Sequence, residues 1–401
     1  MRREVRKPAV LLVRKSFPGH ESLTVLMPHC ITTVPFRPRG RGTLCFLCPF
    51  QGFSPVRLPE EPKKRRNFFM KLKKLGALLL SASLMMAALT ACGSKPAAND
   101  TAEDTKGADA AATDTAADDE ENYETGDASL DNPLNQDEIG EKELLVVSFG
   151  TSYNDSRRET IGAIEAAMQK AFPDYSVRRG FTSQIIIDHV NKRDGEVIDN
   201  VTEALDRAVA NGVKTLVVQP THLMNGLEYT DLKAELAGYS DSFEKVVLGE
   251  PLLTSDADFQ TVMNAIVDAT KEYDDGETAI CFMGHGTEAD SNQVYTKMQE
   301  TLTAAGHKNY FVGTVEATPS LEDVIAAVKE SGLKKVVLRP LMIVAGDHAN
   351  NDMAGDEDGS WKTEFEKAGF EVTTVVEGLG GLTDIQNLFV AHAQAAVDSL
   401  K

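Results

Sequence analysis

The chain has 401 residues, 42 % of them hydrophobic, with 61 Asp and Glu against 41 Lys and Arg. Residues 1–69 hold 14 of the basic and only 4 of the acidic side chains, which leaves a formal charge of −30 from residue 70 onward. So acidic a body argues against sequence-independent nucleic-acid binding, which relies on Lys and Arg neutralising phosphates, and no nucleic-acid partner is expected.

In chain order, residues 1–69 are rich in Pro, Arg and Cys and show no sustained periodicity. Cys45 and Cys48 have C-x-x-C spacing without a second Cys or His pair, so neither a zinc nor a redox role is expected of them. At Met70 a secretory pattern begins. Lys71, Lys73 and Lys74 form a positive start, and an apolar run of about 15 residues follows, too short for a membrane span of about 20. The run ends in Leu89-Thr90-Ala91-Cys92, which resembles the lipobox of bacterial lipoproteins. The resemblance implies a signal peptide over 70–91, a lipid on Cys92 and export to the outer face of a bacterial cell membrane. Because a signal peptide starts a chain, translation is expected to begin at Met70, making 1–69 a mis-called upstream extension. Residues 92–141, rich in Ala, Asp, Thr and Glu, bury too little to offset their ordering entropy and read as a disordered acidic tether.

The remainder alternates short apolar runs with longer amphipathic ones. Strands are expected at 144–149, 176–181, 215–219, 245–249, 279–283, 310–315, 335–339 and 371–376, mostly as continuous Val/Leu/Ile runs suited to parallel strands covered on both faces. Helices are expected at 156–171, 195–210, 257–273, 289–305 and 320–331. This alternation predicts a doubly wound α/β architecture. It also looks duplicated. Val147-Ser-Phe-Gly-Thr-Ser152 closes one strand and Phe282-Met-Gly-His-Gly-Thr287 another, while Leu216-Val-Val-Gln-Pro220 echoes Val337-Leu-Arg-Pro340. The reading is two similar parallel-sheet lobes, about 142–275 and 276–401, with strand-end loops around a cleft between them, where open α/β sheets bind ligands.

Three polar residues fall at such strand ends. His285 stands between Gly284 and Gly286, Glu316 follows its strand directly, and His348 lies in the loop after the 335–339 strand. Two imidazoles and a carboxylate suit Co²⁺, Ni²⁺, Fe²⁺ or Zn²⁺, and no Cys pair accompanies them as in a closed structural zinc site. A hydrogen-bonded structural role is the plain alternative for each His. His222 and Glu228 sit in the matching loop of the first lobe as candidate cleft-lining residues. Arg157, Arg158 and Arg179 are weighed as partners for substrate carboxylates against simple surface positions. His189, His307 and His392 fall on or beside helices and read as structural. Cys281 reads as a small buried hydrophobe.

Phe149-Gly-Thr-Ser152, Gln219-Pro-Thr-His-Leu-Met-Asn-Gly-Leu-Glu-Tyr229, Met283-Gly-His-Gly-Thr287, Gly313-Thr-Val-Glu316 and the long run from Pro340 through Gly-Asp-His-Ala-Asn-Asn-Asp352 to Gly355 resemble, in order, the anaerobic cobalt chelatases (sirohydrochlorin cobaltochelatase, class II chelatases). The resemblance spans essentially residues 143–400. It implies two similar α/β lobes with the active site between them, metal held by His285, Glu316 and His348, and Co²⁺ as the metal substrate, with Fe²⁺ or Ni²⁺ as alternatives. A tetrapyrrole is the expected partner, and His285 is assigned as catalytic base. A lipid-anchored chelatase departs from that family, whose substrates are made inside cells. A rival reading is therefore an importer's substrate-binding lipoprotein that captures haem, a corrinoid or a metal without turnover. Oligomeric state is unread, and a homo-oligomer stays open.

Overall fold

The computed structural model describes residues 11–17, 20–27, 30–36 and 125–401. Residues 70–91, where a signal peptide is expected, Cys92, and Cys45 with Cys48 lie outside the described residues. The chain divides into two units, 1–108 and 109–401. In the first, β1 (Leu11–Phe17), β2 (His20–Met27) and β3 (Cys30–Phe36) pair as an antiparallel meander. Among the described residues no helix is long and apolar enough to cross a membrane.

The second unit holds two four-stranded parallel sheets of the same topology. β4 (Lys142–Ser148), β5 (Ser176–Phe181), β6 (Thr215–Pro220) and β7 (Lys245–Leu248) lie in the order β5-β4-β6-β7. β8 (Thr278–Gly284), β9 (Tyr310–Thr314), β10 (Lys335–Pro340) and β11 (Glu371–Thr374) lie in the order β9-β8-β10-β11. Each sheet starts at an inner strand, adds one neighbour on one side and two on the other. Its connections therefore reverse direction between the first and third strands, which opens a crevice at their carboxyl ends. The duplication extends to register: Val147 faces Pro220 in the first sheet as Met283 faces Pro340 in the second. The turn glycines two positions beyond each strand end match too, with Gly150 at φ 106° and Gly286 at φ 92°.

Successive strand residues alternate between two covered faces, as parallel sheets require. In β4, Leu145 and Val147 pack with α4 (Val201–Ala210) and α5 (Leu227–Ala237). Leu144 and Val146 pack on the other face with Ile164 and Met168 of α2 (Ala163–Ala171), a helix entered from α1 (Asn154–Arg157) through a π-turn. That same face receives Ile385, Phe389 and Ala393 of the last helix, α10 (Thr383–Ser399), which follows the second sheet in the chain yet covers the first. The reciprocal crossing is made by α6 (Asp256–Thr270). It follows β7 but lies across the second sheet, with Thr270 Oγ1 3.1 Å from the Tyr310 hydroxyl and the Ala269 carbonyl accepting from Arg339 at 3.2 Å. There it joins α7 (Gln293–Ala304), while the opposite face is covered by α8 (Leu321–Ser331) and α9 (Trp361–Lys367). Through this exchange one apolar core runs from Leu144 to Phe282, so the division at about 275 separates strands but not helices.

Residues 125–141 correct the expectation of a disordered tether over 92–141. Leu134 is buried against the first lobe, and Asp131 reaches under it. Asp131 accepts from Arg157 Nε at 2.6 Å and from both terminal nitrogens of Arg179 at 2.7 and 3.0 Å. Arg157 also pairs with Glu196 at 2.8 Å, and Arg179 with Glu165 at 2.7 Å. Arg157 and Arg179 are fully buried, so neither is a surface residue and neither is available to a substrate carboxylate. The physical reason is charge balance: a guanidinium held out of water needs carboxylates on several sides, and the segment before β4 supplies one of them. Arg158 is half-buried and pairs with Asp155 and Glu159. Cys281 is fully buried in β8, where burial pushes its thiol well up.

Candidate metal centre

The carboxyl ends of β8, β9 and β10 bring His285, Glu316 and His348 together. One ligand atom from each lies within 4.8 Å of the others. At about 2.1 Å per bond, ligands of one ion stand up to about 4.2 Å apart, so small side-chain movements let all three share it. The sequence therefore named three residues that the fold converges, all from the second lobe.

Each is placed by a local device. β8 ends in glycine because Tyr295 packs there: a Cβ on Gly284 would stand 2.1 Å from the Tyr295 ring. Gly286 takes a left-handed conformation and would press a Cβ on the Ala317 backbone at 2.8 Å. The chain thus folds sharply on either side of His285 and exposes its ring. The turn is held by Gly286 N, which donates to the Tyr295 hydroxyl at 3.3 Å. Burial pushes the Tyr295 phenol up to about 12, which keeps it neutral. Glu316 is placed beside His285 by continuation of the parallel ladder, its backbone N–H donating to the His285 carbonyl at 2.9 Å. Its carboxylate comes within 3.8 Å of His285 Nδ1.

The two imidazoles meet edge to face with centroids 4.6 Å apart. His285 Nδ1 lies 2.8 Å from the Gly286 carbonyl and His348 Nδ1 lies 2.6 Å from Asp352 Oδ2. Both partners are acceptors, so with Nδ1 donating to them the free lone pair of each ring lies on Nε2. The sites stay accessible, His285 and Glu316 being about half exposed.

The first lobe contributes differently. Phe149 occupies the place that His285 holds in the second, and is 48 % exposed at the end of β4. It lines a cavity of about 310 Å³ together with Thr182, Asn200, Leu232 and Glu228. Glu228, in the first turn of α5, thus lines a cavity within the first lobe and is near enough to raise the Tyr295 phenol electrostatically. His222 is not among that cavity's lining residues. Although the residue is half-buried overall, both ring nitrogens are sealed from solvent without a hydrogen-bond partner, and burial pushes the imidazole down to about 4. His392 bridges the Glu250 carbonyl and Asp258, fastening α10 to the start of α6, and His307 packs edge-on against Tyr310. The first lobe also braces the His348 loop. Ala345 N donates to Ser156 Oγ at 2.9 Å, a cross-lobe contact that spacing alone does not reveal.

The family profile described as "Cobalt chelatase (CbiK)" matches residues 142–398. The sirohydrochlorin cobaltochelatase of Salmonella typhimurium is 38 % identical over 257 residues, 64 % of this chain and 97 % of that protein. Sirohydrochlorin cobaltochelatase CbiKC of Nitratidesulfovibrio vulgaris is 28 % identical over 261 residues, 65 % of this chain and 92 % of that one. The solved structure of SirB from Bacillus subtilis with Fe³⁺ superposes with a TM-score of 0.47 at 14 % identity, covering 65 % of this chain and 97 % of that one. A profile match over more than half of the chain and a 38 % identical relative matched almost end to end establish that the chain belongs to the cobalt chelatase family.

Proposed function

We propose that this protein inserts Co²⁺ into a sirohydrochlorin-type tetrapyrrole at the carboxyl ends of β8, β9 and β10. The observation that carries the reading is the convergence of His285, Glu316 and His348 at an open strand-end crevice in a chain of this family. Insertion removes two pyrrole protons from the macrocycle and strips water from the ion, so the products are the metallated ring, two protons and released water. His348 and Glu316 hold the entering ion. His285, exposed and beside both, accepts a pyrrole proton on a ring nitrogen, imidazole being the commonest general base of enzyme sites. Imidazole and carboxylate ligands do not by themselves select Co²⁺ over Ni²⁺ or Fe²⁺. The preference for cobalt is supported by the named relatives.

The test is anaerobic mixing of purified protein, Co²⁺ and sirohydrochlorin, followed by the absorption change on metallation. Turnover is expected, and His285→Ala should lower it by about 10²–10⁴-fold, the range for loss of a general base. Tight tetrapyrrole binding without metallation by Co²⁺, Fe²⁺ or Ni²⁺ would instead mean capture without chemistry.

We further propose that the chain is exported and anchored through a lipid on Cys92, on the strength of the Leu89-Thr90-Ala91-Cys92 motif alone. Metabolic labelling with a fatty-acid analogue should mark the native protein and not Cys92→Ala; equal labelling of both overturns the anchor.

A further inference from the structure

We infer that Asp352 is a positioning residue that sets His348 for metal binding, an inference that rests on the metal centre proposed above. The pair is four residues apart across the π-turn Ala349–Met353, with Nδ1 and Oδ2 2.6 Å apart. A carboxylate only accepts, so this contact fixes the proton on Nδ1 and aims the Nε2 lone pair away from the turn. It also enriches the ring's electron density, because the donor is bonded to a charged acceptor.

The surrounding turn makes the aim rigid. Ala349 and Met353 are fully buried, which pins the turn to the lobe. Asn350 Nδ2 donates to the Gly346 carbonyl at 2.8 Å, and Asn351 Nδ2 to Asp347 Oδ1 at 2.7 Å. The loop leading into it is tied to the first lobe through Ser156. His348 therefore swings about its own side-chain bonds more readily than with its backbone, and Asp352 is a hydrogen-bonding contact that opposes that swing. The two imidazoles differ in this respect. His285 is oriented by the Gly286 carbonyl, a backbone group that no side-chain substitution removes. Removal of Asp352 acts on one ligand and spares the other.

The experiment measures Co²⁺ affinity of the full-length metal-free protein by calorimetric titration, with no tetrapyrrole present. The set is wild type, Asp352→Ala, Asp352→Asn, His348→Ala and the double variant His348→Ala/Asp352→Ala. Loss of a carboxylate behind a ligating His weakens metal binding by about 10–100-fold, and that is the loss expected for Asp352→Ala. Asp352→Asn keeps an acceptor oxygen for Nδ1 without the charge, so it should recover part of the loss. In the His348→Ala background, Asp352→Ala should add less than about threefold, because the ring it orients is gone. A purely structural role would cost the same factor in both backgrounds, and that result overturns the inference. So does Asp352→Ala binding within about threefold of wild type while His348→Ala is impaired. If His348→Ala itself binds Co²⁺ as wild type does, the metal centre is refuted instead.

Discussion

Replacing Asp131 with Ala tests whether the segment before β4 belongs to the folded domain. Its side chain is 3 % exposed and takes three short hydrogen bonds from two guanidiniums that are themselves fully buried. Without it Arg157 keeps Glu196 and Arg179 keeps Glu165, but two cations face each other across the vacated site. Breaking a buried ion pair by removing one partner costs about 3–5 kcal/mol, a large share of a domain stability of about 5–15 kcal/mol. Urea unfolding of Asp131→Ala should show that loss as a lower midpoint at unchanged slope. The acid limb should also change. Burial pushes the Asp131 carboxyl up, but Arg179 and Arg157 outweigh it and hold it below its ordinary value. The folded state therefore binds this proton less readily than the unfolded state. The contribution is complete above the unfolded value near 4 and is lost as pH falls through the folded one. Asp131→Ala should flatten that limb. A variant within about 0.5 kcal/mol of wild type at neutral pH would refute the placement of this segment.

Two further predictions concern residues at the strand ends. His222 is held near 4 in the folded protein against about 6.5 unfolded, so stability should fall as pH drops from about 6.5 to about 4, by about 3 kcal/mol in all. His222→Leu should remove that dependence in guanidinium melts across the window, and an unchanged pH slope would contradict the sealed imidazole. Gly284→Ala drives a methyl into Tyr295, an overpacking cost of about 1–3 kcal/mol. It should also weaken Co²⁺ binding by disturbing the turn that presents His285; unaltered melting and affinity together would count against that geometry.

Most of the eight strands of the α/β unit were legible because they are short, largely apolar runs, and the inner strands of each sheet prove to be buried, although Ser176–Phe181 carries two buried arginines and the edge strand Glu371–Thr374 is largely polar. Helices were less so. The run 195–210 reads as one helix, but Asn200 and Glu203 form a capping box that starts α4 at Val201. α3 (Gln184–Asp194) and α5 (Leu227–Ala237) carry polar residues on much of their surface and stand out little from loop sequence. His285, Glu316 and His348 could be named because strand ends are where parallel sheets place ligands. Arg157 and Arg179 were misjudged because their partner Asp131 lies 26 and 48 residues away, in a stretch whose Ala- and Asp-rich composition masks its few packed residues. The sealing of His222 depends on how the 221–226 loop folds along 250–253, where His222 O accepts from Leu252 N, a pairing with no local signature.

The exchange of α6 and α10 bears on how the chain acquires its structure during synthesis. When β4 through β7 have left the ribosome, one face of their sheet still lacks Ile385, Phe389 and Ala393. That face stays apolar and uncovered until α10 emerges after the whole second lobe. Neither half can finish as an independent nascent domain, so completion is joint, and a chaperone that shields apolar strands has its window in that interval.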